Sequence, residues 1–185
     1  LILFDFWFDL DALSKPELLS LLGVARAASE RDFLMILMAY SHGLRASEVL
    51  SIVPNSVSDG LLRMRRLKGS LRTEQPLLSS AETLLDERKA WFDFTLNIPG
   101  NQKVFPITRQ HFWRLMQRYS ATAGIPKRKR HPHVLKHTIA LQTIHSAGIE
   151  NVRQYLGHRS MASTGEYLKR TDAEASDAIG SALRG

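Results

Sequence analysis

Apolar positions recur at helical spacing through most of the chain, and alternate at strand spacing in one short region. "SKPELLSLLGVARAASE" opens with Ser14 and Glu17 in capping-box spacing and Pro16 in the first turn, then repeats apolar residues every three or four positions, which predicts a helix. "RDFLMILMAYSHG" is apolar nearly all round, so its helix should be buried, with Gly43 as its stop. "RASEVLSIV" predicts a short third helix ending near Pro54. "LLRMRRLKGSLRTEQPLL" alternates like two strands joined by a hairpin turn at Gly69-Ser70, with Pro76 at an edge or a strand end. "SSAETLLDERKAWFDFTL" predicts a helix capped by Ser79 and Glu82, and another runs from about 108 to 121. A basic loop at 124–132 leads into "HVLKHTIALQTIHSAG", which should end at Gly148. Short helices follow at "IENVRQYLG" and "SMASTGEYL", and a last one starts near Thr171 or Asp172. The expected fold is α+β: mostly α with a small antiparallel β-sheet, in one domain.

The first stretch, "LILFDFWFDLDAL", is apolar but too short to span a bilayer, and it carries Asp5, Asp9 and Asp11. It is expected to be a packing segment or tether over residues 1–14, ahead of a domain at 15–185. The chain opens on Leu1 rather than Met, so it is expected to be a piece of a longer protein.

Charge narrows the partner. The 185 residues carry a net charge of +7, which favours an acidic partner, most commonly nucleic acid. There is no cysteine, which rules out a disulfide framework or a thiol nucleophile and fits a reducing cytoplasm. Positive charge is densest in "KRKRHPHVLKH" (Lys127 to His137), which could serve solubility or a nuclear address; beside the motifs described next, Lys127, Arg128, Lys129 and Arg130 are expected to neutralise DNA phosphates without reading sequence. His133 and His137 are four apart, but no carboxylate completes a metal-binding pattern there, so no metal is expected.

Four segments, "HGLRASEVLSI", "RRLKGS", "HPHVLKHT" and "YLGHRSMASTGEYLK", come in the order found in the tyrosine recombinase (phage integrase) catalytic domain, and the chain resembles that family from about Lys15 to its end. The resemblance implies that Arg45 clamps the scissile phosphate and that Lys68 protonates the departing 5′-oxygen. It implies that His133 assists proton transfer, that His158 hydrogen-bonds a phosphate oxygen, and that Tyr167 attacks phosphorus to form a 3′-phosphotyrosyl link. It further implies double-stranded DNA as partner, no cofactor, a bacterial, phage or mobile-element origin, and a separate DNA-binding domain not seen in this chain. Recombination would use a tetramer, with the segment after Tyr167 docking on a neighbour through Ala173, Ala178, Ile179 and Leu183. One position departs from the family: its usual His-x-x-Arg reads His133-Val-Leu-Lys136 here. A lysine keeps the positive charge without the bidentate guanidinium, so Lys136 is expected to neutralise the phosphate with a looser grip.

The chemistry of the residues agrees with these roles. An in-line displacement at phosphorus needs cations aimed at the equatorial oxygens, a general acid at the leaving oxygen, and a phenol made more acidic by its neighbours. Other readings remain. Arg45 could simply pair with Glu48 at a helix start. Arg66 competes with Lys68 as the working cation of the hairpin and is otherwise expected to face DNA. Tyr40, Tyr119 and Tyr155 are expected to pack. A type IB topoisomerase would use the same chemistry, and a non-catalytic DNA-binding protein could use "HVLKHTIALQTIHSAGIENVRQYLG" as a helix-turn-helix.

Overall fold

A computed structural model describes residues 12–66 and 72–157. Helix α1 (Lys15–Ala28) starts with the expected capping box. The Ser14 hydroxyl accepts from the Glu17 N–H at 3.3 Å, and the Glu17 carboxylate accepts from the Ser14 N–H at 2.7 Å. These bonds satisfy two helix-end donors that have no partner within the helix. Helix α2 (Glu30–Ser41) is capped by Ser29 and buried over the whole run from Phe33 to Ala39. It is the central rod of the molecule, with α1, α4 (Glu87–Thr95) and α6 (His133–Ala147) packed around it.

Gly43 follows α2 with φ of +57°, a left-handed value that glycine adopts without steric cost. A Cβ there would lie 2.3 Å from Leu156 Cδ2, just beyond α7 (Ile149–Tyr155). The residue therefore both turns the chain and lets α7 approach. The turn leads directly into the one-turn helix α3 (Ala46–Val49), whose first flanking residue is Arg45.

The sheet has three antiparallel strands in the order β1 (Val57–Ser58), β2 (Leu61–Arg65), β3 (Arg72–Pro76). Strand β1 was not expected. It is joined to β2 by Asp59 and Gly60, which both have positive φ (54° and 73°), the backbone sign favoured in two-residue hairpin turns. Pro76 is the last residue of edge strand β3, paired with Leu61. Leu62 and Met64 point inward from β2, and Thr73 and Gln75 point inward from β3.

Helix α4 starts later than the sequence suggests. The expected box at Ser79 and Glu82 does not form: the Glu82 carboxylate accepts from the Leu84 N–H at 3.4 Å, and the Glu82 N–H donates to the Ser80 hydroxyl. Asp86 caps the helix instead, accepting from the Lys89 N–H, while buried Glu87 accepts from the Leu78 N–H. Helix α5 (Arg109–Thr122) is capped by Thr108, and a 3-10 turn at Lys127–Lys129 precedes α6. Leu13, at the end of the opening apolar stretch, is tied to α6 by its N–H to Thr138 Oγ1 at 2.9 Å.

Candidate active site

The site grows from the α2–α3 corner. Glu48, 1% exposed, sits three residues after Arg45, and its carboxylate accepts from the Arg45 N–H at 2.8 Å and from the Arg45 guanidinium at 3.1 Å. Arg45 therefore does pair with Glu48, and the pairing aims it. With its side chain 29% exposed, it forms one wall of a cleft of about 520 Å³ that is also lined by Ser47, Arg109, Trp113, His131 and His133.

Behind Glu48 lies Arg66. It is 3% exposed and donates to Glu48 (3.3 Å), Thr73 (2.9 Å), Gln75 (3.2 Å) and the carbonyls of His42 (2.8 Å) and Tyr155 (3.3 Å). The expectation that Arg66 faces DNA is corrected by this placement. Following Leu62 and Met64 by two-residue steps, it falls on the inward face, and its guanidinium is spent on the α2 end, α3, β3 and α7.

Helix α6 supplies the opposite wall. Its first residue, His133, stands at the cleft surface, with its ring edge-on to His137 at 4.4 Å between centroids. Lys136, one turn on, is 1% exposed and is not among the described residues that line the cleft. Its ammonium donates to the Leu156 carbonyl at 3.1 Å.

The electrostatics of this corner are lopsided. Arg45, Arg66 and Lys136 share one carboxylate, Glu48. Burial, and then the Arg45 and Arg66 charges, lower the Lys136 pKa to about 7. His133 is lowered to about 4, first by partial burial and then by His137, Lys136, His131 and Arg45. Its exposed edge keeps some water and softens that effect. Burial gives the larger part of that shift; the positive neighbours give the rest and favour an anion in the cleft, and His133 is neutral at pH 7.

The basic loop divides in two. Lys127 and Arg128 are exposed. Lys129 is 9% exposed and ion-paired to Glu17 at 2.9 Å, and half-buried Arg130 donates to the Ile125 carbonyl at 2.7 Å. The expectation of four phosphate contacts is therefore corrected for Lys129, whose charge is used to tie the loop to α1, and the Nε of Arg130 is likewise held inside the loop. Lys68, His158 and Tyr167, with the docking positions Ala173, Ala178, Ile179 and Leu183, lie outside the described residues.

The three described tyrosines are committed elsewhere. Tyr40 donates to Gln142 at 2.6 Å, Tyr119 to Asp32 at 2.6 Å and Tyr155 to the Ser41 carbonyl at 2.8 Å. Burial makes each of these phenols a weaker acid. Among the described residues, no group of three or more histidines or carboxylates is placed to hold a metal ion, and no helix is long and apolar enough to cross a membrane. Arg109 and Trp113 were not singled out by sequence reasoning. They are one turn apart at the start of α5, and nothing in their local pattern marks them as facing α3 and α6.

Comparison with known proteins gives the same picture. The phage integrase family matches residues 11–174. The chain is 33% identical to tyrosine recombinase XerD of Xanthomonas campestris pv. campestris over 180 residues, covering 86% of this chain and 52% of that protein. It is 31% identical to the type 1 fimbriae regulatory protein FimE of Escherichia coli K12 over 150 residues, covering 76% of this chain and 75% of FimE. The chain thus spans about half the length of XerD. The fold superposes on the crystal structure of XerA recombinase with a TM-score of 0.70 at 24% identity, covering 92% of this chain and 62% of that one. The cleft between α3 and α6, the ordered motifs and these relatives together establish that the chain belongs to the phage integrase family of tyrosine recombinases.

Proposed function

We propose that this chain cuts and rejoins double-stranded DNA at specific sites through a 3′-phosphotyrosyl intermediate. One observation carries the reading: Arg45 and His133, far apart in sequence, line a single cleft beside one another's positive charge and that of Arg109. In this reading the Tyr167 oxygen forms a bond to phosphorus as the bond to the 5′-oxygen breaks. The phenol proton passes to a neutral base, the role this reading gives to His133. Lys68 gives a proton to the departing oxygen, and Arg45 and His158 hold the non-bridging oxygens. The new ester conserves the energy of the old one, so the reverse attack by a 5′-hydroxyl reseals DNA without ATP. The commitment of Tyr40, Tyr119 and Tyr155 to internal acceptors supports Tyr167 as the nucleophile.

Residues 15–185 act as the catalytic unit. Exchange between two duplexes involves four strand ends and hence four tyrosines, so the working assembly is a tetramer on DNA, with the segment after Tyr167 docking on a neighbouring protomer. Lys127 and Arg128 neutralise backbone phosphates. The test uses a binding site selected from a randomised duplex pool with the Tyr167→Phe protein. Native chain should exchange strands between two duplexes carrying that site, and the Tyr167→Phe chain should not. Relaxation of supercoils without exchange would point to topoisomerase-like action instead, and DNA binding with no strand breakage would overturn the enzymatic reading.

A further inference from the structure

His42, at the end of α2, is fully buried, and its ring meets an oxygen on each side. Nδ1 lies 3.1 Å from Gln75 Oε1 on β3. Nε2 lies 2.7 Å from Oε1 of Glu87, the buried first residue of α4. Neither Nε2 nor that carboxylate oxygen has another hydrogen-bond partner among the described residues. A flipped ring would set carbons against both oxygens, so the ring orientation is fixed.

Counting hydrogens decides the charge. The Gln75 amide can face only one way: its Nε2 donates to the Tyr155 carbonyl at 2.8 Å, and its Oε1 accepts from Arg66 at 3.2 Å. Turned over, it would set oxygen against oxygen and N–H against N–H. Gln75 therefore offers His42 an acceptor, and Nδ1 carries a hydrogen. A neutral imidazole has one N–H only. A neutral His42 would aim the bare lone pair of Nε2 at a carboxylate oxygen 2.7 Å away, two buried acceptors too close for water to stand between. One further proton is needed, and the helices say where it sits. His42 caps the C-terminal end of α2, where backbone dipoles favour a cation, and Glu87 opens α4, where they favour an anion. The second Glu87 oxygen accepts from the Leu78 N–H at 3.1 Å, which also favours the carboxylate.

From this count we infer that His42 is a buried imidazolium, protonated on both ring nitrogens at pH 7 and paired with ionised Glu87, and that the pair makes His42 a positioning residue for Arg45. The other charged and titratable groups near the pair are Arg66 beyond β2, Glu48 on α3 and Tyr155 on α7, whose phenol is made a weaker acid by burial and then by the Glu87 charge. His42 and Arg66 thus stand against Glu48 and Glu87, two cations against two carboxylates in the interior. The route to the cleft is short. The His42 carbonyl and Gln75 Oε1 both accept from Arg66, at 2.8 and 3.2 Å. Arg66 donates to Glu48 at 3.3 Å, and Glu48 holds Arg45. A His42 without its second proton would repel Glu87 and loosen the hold of α4 on this corner. The consequence for Arg45 rests on the proposed strand-transfer function; the protonation state does not.

The experiment compares native chain with Glu87→Gln and Glu87→Ala in two measurements. The first is long-range proton–nitrogen NMR of the His42 ring at pH 7. Native chain should show a proton on both nitrogens. In Glu87→Gln, a neutral amide supplies the donor, so His42 should become neutral, with Nδ1 protonated and Nε2 bare. The second is single-turnover covalent-complex formation on a nicked duplex carrying the selected site. Glu87→Ala should lower the rate by about 10²-fold, the cost of a small misplacement of reacting groups, and Glu87→Gln should recover most of it.

A bare ring nitrogen on His42 in native chain would overturn the imidazolium, and this spectrum decides the matter even where Glu87→Ala is too unstable to purify. A Glu87→Ala chain as fast as native, or a Glu87→Gln chain as slow as Glu87→Ala, would overturn the positioning role. If native chain formed no covalent complex at all, the strand-transfer reading would fail, and the ring spectrum would still decide the charge of His42.

Discussion

Glu48 is the residue on which the site turns. It is buried and holds Arg45 toward the cleft with one oxygen while meeting Arg66 with the other. Removing one partner of a buried pair leaves an uncompensated charge, so Glu48→Ala should destabilise the fold by about 3–5 kcal/mol in urea unfolding. A loss below about 1 kcal/mol, the range of an exposed pair, would mean that Arg66 finds water. Lys136 makes the opposite prediction, because a desolvated ammonium is a burden on the fold. Its folded-state pKa of about 7 lies below the ordinary 10.5, so between these values the unfolded chain binds the extra proton. The Lys136 contribution to native stability should therefore rise from about pH 7 to 10.5 and be lost below 7. Lys136→Met should lack that rise. Matching pH–stability curves for the two chains would place the ammonium in water. Likewise, an NMR titration of free protein should find His133 near 4, and a value of about 6.5 would remove both its burial and its positive neighbours from the account. The sign is again fixed: His133 stabilises the fold above 6.5, and that contribution is lost as pH falls toward 4. Part of this chemistry was legible from the sequence. Arg45 and His133, singled out from separate motifs, line one cleft. Arg66 was legible but misread, since two-residue alternation from Leu62 and Met64 puts it inside with them. The direction of Lys136 was not legible, because only packing against α7 shows which way its ammonium points.

At the scale of elements, the α2–α3 corner and the end of α7 are a single mechanical unit joined at Gly43. Gly43→Ala adds a left-handed penalty of about 1–2 kcal/mol to a collision with Leu156. The variant should lose about 2–5 kcal/mol in urea unfolding, the sum of that penalty and an overpacking cost of about 1–3 kcal/mol. Adding Leu156→Ala should recover the collision part, making the pair non-additive. Strict additivity would show that α7 does not press on this turn. Helices α1, α2, α5 and α6 were legible because a long apolar or periodic run meets a cap or stop residue: Ser14 before α1, Gly43 after α2, Thr108 before α5 and Gly148 after α6. Helix α4 was misplaced because two caps compete, and the box expected at Ser79 loses to the single cap at Asp86 once Glu87 is drawn inside to meet Leu78 and, at 2.7 Å, His42. Strand β1 was missed because two residues carry no alternation, although the Asp59-Gly60 pair was a hairpin signal in plain view.

At the scale of the molecule, the charge of +7 is not spread evenly over function. Lys127 and Arg128 face outward, whereas Lys129 is spent on Glu17. In DNA-binding measurements across a salt series, Lys127→Ala and Arg128→Ala should each reduce the slope of log affinity on log salt by about 1, while Lys129→Ala should leave it unchanged. An equal effect from Lys129 would mean that the Glu17 pair opens on DNA. The account stands or falls on where a cleaved strand is held. The most direct measurement is mass spectrometry of nuclease-trimmed peptides after native chain has reacted with a nicked duplex carrying its selected site. The account predicts a nucleotide joined through its 3′-phosphate to Tyr167. A nucleotide on any other residue, or an unmodified Tyr167 in chain that has demonstrably cut its DNA, would contradict it.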